Sequence, residues 1–138
     1  MRNLTFALFL FSTLNGENVS LEVPADGTPT KAIDLKLSHK YQIKVTGAVN
    51  LGKYWEGNTV LADDACYELI AKTGKATSPL KNFRNSLDIN VCEEKYREDH
   101  TYTSKTFVAK QSKIHFWIDD IDYSDNSGSL HIEIIEIK

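Results

Sequence analysis

The chain has 138 residues, of which 41% are hydrophobic and 25% charged, and a net charge of -3; these values fit one globular domain. Its Lys and Arg are scattered along an acidic chain of pI about 5.8, without the basic cluster that phosphate binding requires, so nucleic acid is not an expected partner. No apolar run reaches the roughly 20 residues of a bilayer-spanning helix, and no membrane span is expected.

In chain order, Met1-Arg2-Asn3 precedes the apolar run 4–11, with polar Ser12, Thr13 and Asn15 and small Gly16 after it. A basic start and a short apolar core read as an export signal over residues 1–17, leaving 18–138 as a single domain; the alternative is a first β-strand. Strand periodicity governs the remainder of the chain. Tyr41, Ile43 and Val45 alternate with Gln42, Lys44 and Thr46. Ile114, Phe116 and Ile118 alternate with His115 and Trp117, and Leu130, Ile132 and Ile134 with His131 and Glu133. Each such run reads as a half-buried strand. The doublet Ile134-Ile135 shifts the apolar face and predicts a bulge or a strand edge. Further strands are expected at 19–23, 32–37, 67–72, 87–91 and 102–108. Turn residues separate them at Asp26-Gly27, Gly52, Gly57-Asn58, Gly74 and Asn126-Ser127-Gly128. Residues 78–85 and 93–100 read as solvated loops. The sum is an all-β chain folded as an antiparallel β-sandwich.

Two cysteines, Cys66 and Cys92, fit either one disulfide in an exported protein or two buried thiols. Neither belongs to a CxxC pair, and the four histidines do not complete a zinc set with them.

The charge is unevenly distributed. Between Ile114 and Ile137 stand six acidic residues and no Lys or Arg, so this segment carries -6 and the remainder +3. Four of the six fall in Asp119-Asp120-Ile121-Asp122-Tyr123-Ser124-Asp125-Asn126-Ser127-Gly128-Ser129. Like charges about 4 Å apart repel by roughly 1 kcal/mol in water and about 4 kcal/mol at an effective dielectric near 20, and a cation would relieve the repulsion. Carboxylate, carboxamide, hydroxyl and carbonyl groups are hard oxygen donors of the kind calcium takes, so Ca2+ is the expected cofactor. An EF-hand beginning at Asp120 fails, because its sixth position is Asp125 where Gly is required and its twelfth is His131 where Glu is required. The alternative is a solvated acidic loop without a metal.

The ending 116–132, FWIDDIDYSDNSGSLHI, resembles the strand, acidic loop, Asp-Asn-Ser-Gly-Ser turn and last strand of the galactose-binding calcium lectins of the PA-IL type. Residues 41–47, Trp55 within 53–57, and 64–74 are similar to further parts of that family, so the resemblance runs from about Leu21 to the C-terminus. It implies a jelly-roll-like, galactose-binding-like sandwich with calcium ligands at Asp119 or Asp120, at Asp122, Asp125 and Asn126, and at a backbone carbonyl near Leu51. It also implies a sugar bound through hydroxyls that coordinate the ion, with Asp120, Asp122 and Asp125 accepting hydrogen bonds from them. The His-Pro-Asp-Gln stretch by which galactose-specific members grip their sugar has no counterpart at 58–64.

Trp55 and Tyr123 are the aromatic candidates for stacking on a sugar; their alternative is packing at the end of the sandwich. Hydrolase signatures are missing, and nothing singles out Asp63-Asp64 as a glycosidase pair. The expected function is therefore non-catalytic: an exported (secreted, periplasmic or cell-surface) calcium-dependent carbohydrate-binding domain, with a glycan or polysaccharide as partner and a homo-oligomer left open. The rival readings are a structural or protein-interaction β-sandwich in which calcium only stiffens a loop, and an accessory module beside a hydrolase.

Overall fold

The computed structural model of the chain describes residues 18–53, 60–69 and 76–138. The segment 1–17 expected to be an export signal, and Trp55, lie outside the described residues. Among the described residues every regular element is a strand: β1 (Asn18–Pro24), β2 (Ile33–Asp34), β3 (Lys40–Thr46), β4 (Ala48–Lys53), β5 (Val60–Asp64), β6 (Tyr67–Leu69), β7 (Ala76–Pro79), β8 (Phe83–Asn85), β9 (Thr101–Thr103), β10 (Phe107–Val108), β11 (Lys113–Ile114), β12 (Phe116–Ile118) and β13 (Ser129–Ile137).

The longest strand, β13, is paired antiparallel on both edges. It meets β1 from Pro24↔Ser129 to Asn18↔Ile135 and β3 from Thr46↔His131 to Lys40↔Ile137. Beyond β3, the chain from β9 to β10 runs along the far edge, interrupted at Ser104. Ser104 is buried and its hydroxyl accepts the Ile43 N–H at 2.9 Å while its own N–H donates to the Ile43 carbonyl at 2.8 Å. A side chain thus stands in for a ladder partner where the strand bends. The other pairs are β11 with β2, β12 with β8, and the antiparallel run β4-β5-β6-β7.

Period-2 alternation decides which side chains go inward. Tyr41, Ile43, Val45, Leu130, Ile132 and Ile134 are buried, and they share one core with Ile33, Val49, Ile114, Phe116 and Ile118 from the smaller sheets and Ala65 from the bend between β5 and β6. Each large aliphatic so buried contributes roughly 1.5–3 kcal/mol. The fold is all-β and antiparallel, an arrangement consistent with a sandwich.

Three local expectations are corrected. Ile134-Ile135 makes no bulge, since β13 keeps its register with both neighbours through this point and Ile135 and Ile137 lie half-buried on the outer face. Residues 87–91 are a loop and not a strand. Buried Asn85 organises them: its Oδ1 accepts the Leu87 and Ile89 N–H groups, its Nδ2 donates to the Ile89 carbonyl, and Asp88 takes a left-handed φ of 60°. Conversely the expected loop 78–85 holds the end of β7 and all of β8, with Phe83 stacked on Phe116 at 5.7 Å between ring centres.

The long segment between β8 and β9 has no strand partner and is tied down by two devices. Cys66 and Cys92 form a disulfide across a sequence separation of 26, worth about 3–4 kcal/mol on the chain-entropy estimate. Beside it the fully buried Asp64 carboxylate accepts four bonds: from the Cys66 and Tyr67 N–H groups on Oδ1, and from His100 Nδ1 at 3.0 Å and the Tyr102 hydroxyl at 2.8 Å on Oδ2. Tyr102 is itself fully buried, and that burial raises its phenol above the ordinary tyrosine range. Removing one partner of such a network strands the others. Asp64→Ala is therefore expected to cost about 3 kcal/mol and Tyr102→Phe about 1–2 kcal/mol, read as shifts in urea midpoint at constant m-value.

Candidate functional site

The acidic loop, residues 119–128, joins β12 to β13 and is seated on the turn after β1 and on β4. Asn50 and Ser127 exchange both backbone hydrogen bonds, at 3.0 and 2.9 Å. On the other side the Ala25 N–H donates to the Gly128 carbonyl at 3.0 Å and Asn126 Nδ2 donates to the Ala25 carbonyl at 2.8 Å. Tyr123 closes the loop internally. Its hydroxyl accepts the Asp120 N–H at 3.0 Å, and its ring lies against Gly27, where a Cβ would fall 2.7 Å from Cε1. With φ of +87° as well, Gly27 has two reasons to carry no side chain.

The carboxylates of this loop divide into those already engaged and those that are not. Asp119 accepts Arg84 Nη1 at 3.0 Å and Trp117 Nε1 at 3.0 Å. Asp122 Oδ1 accepts the hydroxyl and the N–H of Ser124, at 2.7 and 2.9 Å, and these bonds hold its carboxyl below the usual aspartate range. Asp120 and Asn126 differ. Asp120 Oδ1 accepts the Ile121 N–H, but its Oδ2 is buried with no hydrogen-bond partner, and so is Asn126 Oδ1. Such orphaned acceptors cost roughly 1–3 kcal/mol each and call for an explanation. Asp125 forms no hydrogen bond or ion pair among the described residues, and its carboxylate lies against Gly52, where a Cβ would come within 2.6 Å of Oδ1.

β4 is shaped to receive this carboxylate. Its register with β5 shifts between Asn50↔Ala62 and Lys53↔Val60, a bulge that takes Leu51 and Gly52 out of the ladder. Gly52 has φ of +104°, and Asn50 Oδ1 holds its N–H at 2.8 Å. Leu51, expected to offer a carbonyl, therefore stands in irregular backbone beside Asp125. Tyr123 keeps 37% of its surface exposed beside this cluster, and Ile121 is fully exposed at the loop tip.

Asp63 on β5 belongs to these surroundings, although the sequence gives no sign of it. It is buried at 5% exposure, opposite Glu68 in the register. Burial first, and then the negative charge of Glu68, raise its carboxyl to about 7; the Leu51 N–H opposes the rise, while Asp64 and Asp120 add to it. The Asp63-Asp64 doublet is visible in the sequence, but only the fold shows that Asp64 is consumed by the structural network while Asp63 faces the bulge. Asn50, Gly52 and Gly27 likewise give no signal beyond turn chemistry.

The donor set fits a hard cation. Asp120, Asp125 and Asn126 present oxygens without partners, and Leu51 lies where the bulge interrupts the β4–β5 ladder. Among the described residues no three His, Cys, Asp or Glu side chains converge to hold a metal, so carboxamide and backbone oxygens would have to complete any coordination shell.

Gly52→Ala should push Asp125 out of its seat and strain the bulge, costing about 1–3 kcal/mol, measured by chemical denaturation. Asp63 favours its protonated form in the folded state, so the native protein binds more protons than the unfolded chain between about pH 4 and pH 7 and loses stability as pH rises through that window. In chelator, Asp63→Asn should flatten this decline and leave the protein more stable than the parent at pH 8, as read from urea midpoints at pH 5 and pH 8.

No protein-family model, curated protein or solved structure matches the chain.

Proposed function

We propose that the protein is a non-catalytic, calcium-dependent carbohydrate-binding domain, in which Asp120, Asp125 and Asn126 with the backbone at Leu51 hold Ca2+ and the ion takes up sugar hydroxyls. The observation that carries this reading is that Asp120 Oδ2 and Asn126 Oδ1 are buried without partners on the loop whose Asp125 carboxylate lies against Gly52. A bound cation is one partner that would satisfy such acceptors. The resemblance of 116–132 to the PA-IL-type lectins supports the same assignment, with Asp120 rather than Asp119 as the carboxylate ligand, because Asp119 is engaged by Arg84 and Trp117.

Calcium would supply a partly dehydrated point of attachment. A neutral sugar competes poorly with water for ordinary hydrogen bonds, whereas two adjacent hydroxyls can replace two waters on the ion. The residues do the positioning: the bulge fixes Asp125, Asn126 is anchored through its Nδ2 to Ala25, and Tyr123 fixes the Asp120 backbone. The outer face of Tyr123 offers an apolar surface to a sugar ring. The Cys66–Cys92 disulfide suits an oxidising compartment, in keeping with export.

A second reading has its own support. The loop is already cross-linked by Ser124 on Asp122 and Asn126 on Ala25, so calcium that only stiffens it in a structural or protein-interaction domain would suffice. Calorimetric titration with Ca2+, followed by glycan-array binding with and without chelator, separates the two. Asp125→Asn and Asn126→Ala are expected to lower calcium affinity at least about tenfold, the effect of losing some 1.4 kcal/mol, and Asp119→Asn to change it less than about threefold. Calcium binding without chelator-sensitive glycan binding would favour the second reading, and no calcium binding would reject both.

A further inference from the structure

Beside the Cys66–Cys92 disulfide the surface opens into a cavity of about 610 Å³, within the range of small-ligand sites. It borders the acidic loop only through Arg84, which bonds Asp119. One wall is the chain from Pro79 to Arg84, the other the strandless loop from Asp88 to Cys92, and the disulfide joins them at one end.

Both walls are fixed before any ligand arrives. The Leu80 N–H donates to the Cys66 carbonyl at 2.8 Å, the Asn85 side chain holds Leu87 and Ile89, and Asn90 Oδ1 accepts the Cys92 N–H at 2.9 Å. Asp88 sits in the left-handed region with its N–H on the Asn85 carbonyl. A loop ordered in this way during folding does not lose that entropy again on binding.

The lining has two characters. Leu80, Phe83, Ile89 and Val91 give it an apolar part. Lys81 and Arg84 give it positive charge: Lys81 has no hydrogen-bond or ion-pair partner among the described residues, and Arg84, held over the Trp117 ring at 5.9 Å, gives one N–H of its fork to Asp119. Asp88 is the single acid of the lining, and it too has no ion pair among the described residues.

The geometry points to a second, calcium-independent site in this cavity for a small molecule that joins an apolar body to a carboxylate, the body on Leu80, Ile89 and Val91 and the carboxylate on Lys81 and Arg84. Among the described residues Lys81 is the unpaired cation of the lining and Arg84 gives Asp119 only one N–H of its fork, so a single carboxylate head can be taken up by the two side chains. Asp88 decides between the two sources of that chemistry: it repels a purely anionic amphiphile and attracts the ammonium of a free apolar amino acid.

The test is calorimetry on the full oxidised chain in chelator, with 4-phenylbutyrate, 4-phenylbutanol and free phenylalanine as probes. At least one of the two carboxylates should bind, and 4-phenylbutanol should bind at least about tenfold more weakly than it. Lys81→Glu should weaken the bound carboxylate at least about tenfold with an unchanged thermal midpoint, Ile89→Asp should weaken it as much, and reduction of the disulfide should also weaken it. Asp88→Asn should strengthen 4-phenylbutyrate and weaken phenylalanine. No binding of either carboxylate up to about 10 mM, well above the millimolar affinity of the weakest specific sites, would overturn the assignment. So would equal affinity for the alcohol, or parental affinity in Lys81→Glu. If Ile89→Asp fails to fold, Lys81→Glu and the alcohol comparison decide alone. None of these outcomes touches the calcium reading, which is measured at the acidic loop.

Discussion

The pairing of β13 on both of its edges is the constraint from which the rest is hung. Nine residues of one strand meet β1 and β3 in continuous register, and a shift of one residue would turn Leu130, Ile132 and Ile134 to the outside. The first residue of this strand, Ser129, also ends the acidic loop. Fixing β13 therefore fixes where Asn126, Ser127 and Gly128 lie, and the Asn50–Ser127 bridge transmits that position to β4. The loop is set by the best-specified strand of the molecule at one end and by β12, with buried Phe116 and Ile118, at the other.

The features legible in the sequence and those hidden in it have the same physical origin. Strands with one buried face, such as 40–46, 113–118 and 129–137, announce themselves by alternation, because half their side chains must be apolar. β4 and β5 do not, since their runs are broken by Asn50, Gly52 and the Asp63-Asp64 doublet, residues engaged in the bulge and in the Asp64 network. The loop 87–91 has the apolar residues of a strand but is claimed by a single buried Asn85. Side-chain capture of backbone N–H groups is a local competitor to the ladder that no periodicity reveals. Acidic composition marks this loop. It has no means of telling which carboxylates are spent on Arg84 and Ser124, because those partners are set by the fold.

Charge in this part of the molecule is managed by separation. Asp119 is neutralised by Arg84, Asp64 is enclosed by four donors, and Asp122 is turned onto Ser124. Asp63 instead lowers the local charge by favouring its proton, with burial and Glu68 as the main causes. The remaining negative charge is thereby concentrated at Asp120 and Asp125, next to backbone that a bulge has released from pairing. A cation placed there would meet two carboxylates and not four, a moderate attraction that leaves coordination positions for neutral oxygens.

This division sets how much of an ion's coordination the loop could supply. A site holding every acid of the loop would bind its ion with no room for a sugar hydroxyl, and a site holding none would not bind the ion. In the proposed site two carboxylates, one carboxamide and a backbone carbonyl would satisfy part of the six to eight positions calcium takes and would leave the others to water or to a ligand. Gly52 then becomes the residue on which the balance rests: only a residue without a Cβ lets Asp125 approach the bulge, and only the bulge brings Leu51 beside it. A change at this one glycine would act on the Asp125 carboxylate that rests against it, although Gly52 itself offers no side-chain donor.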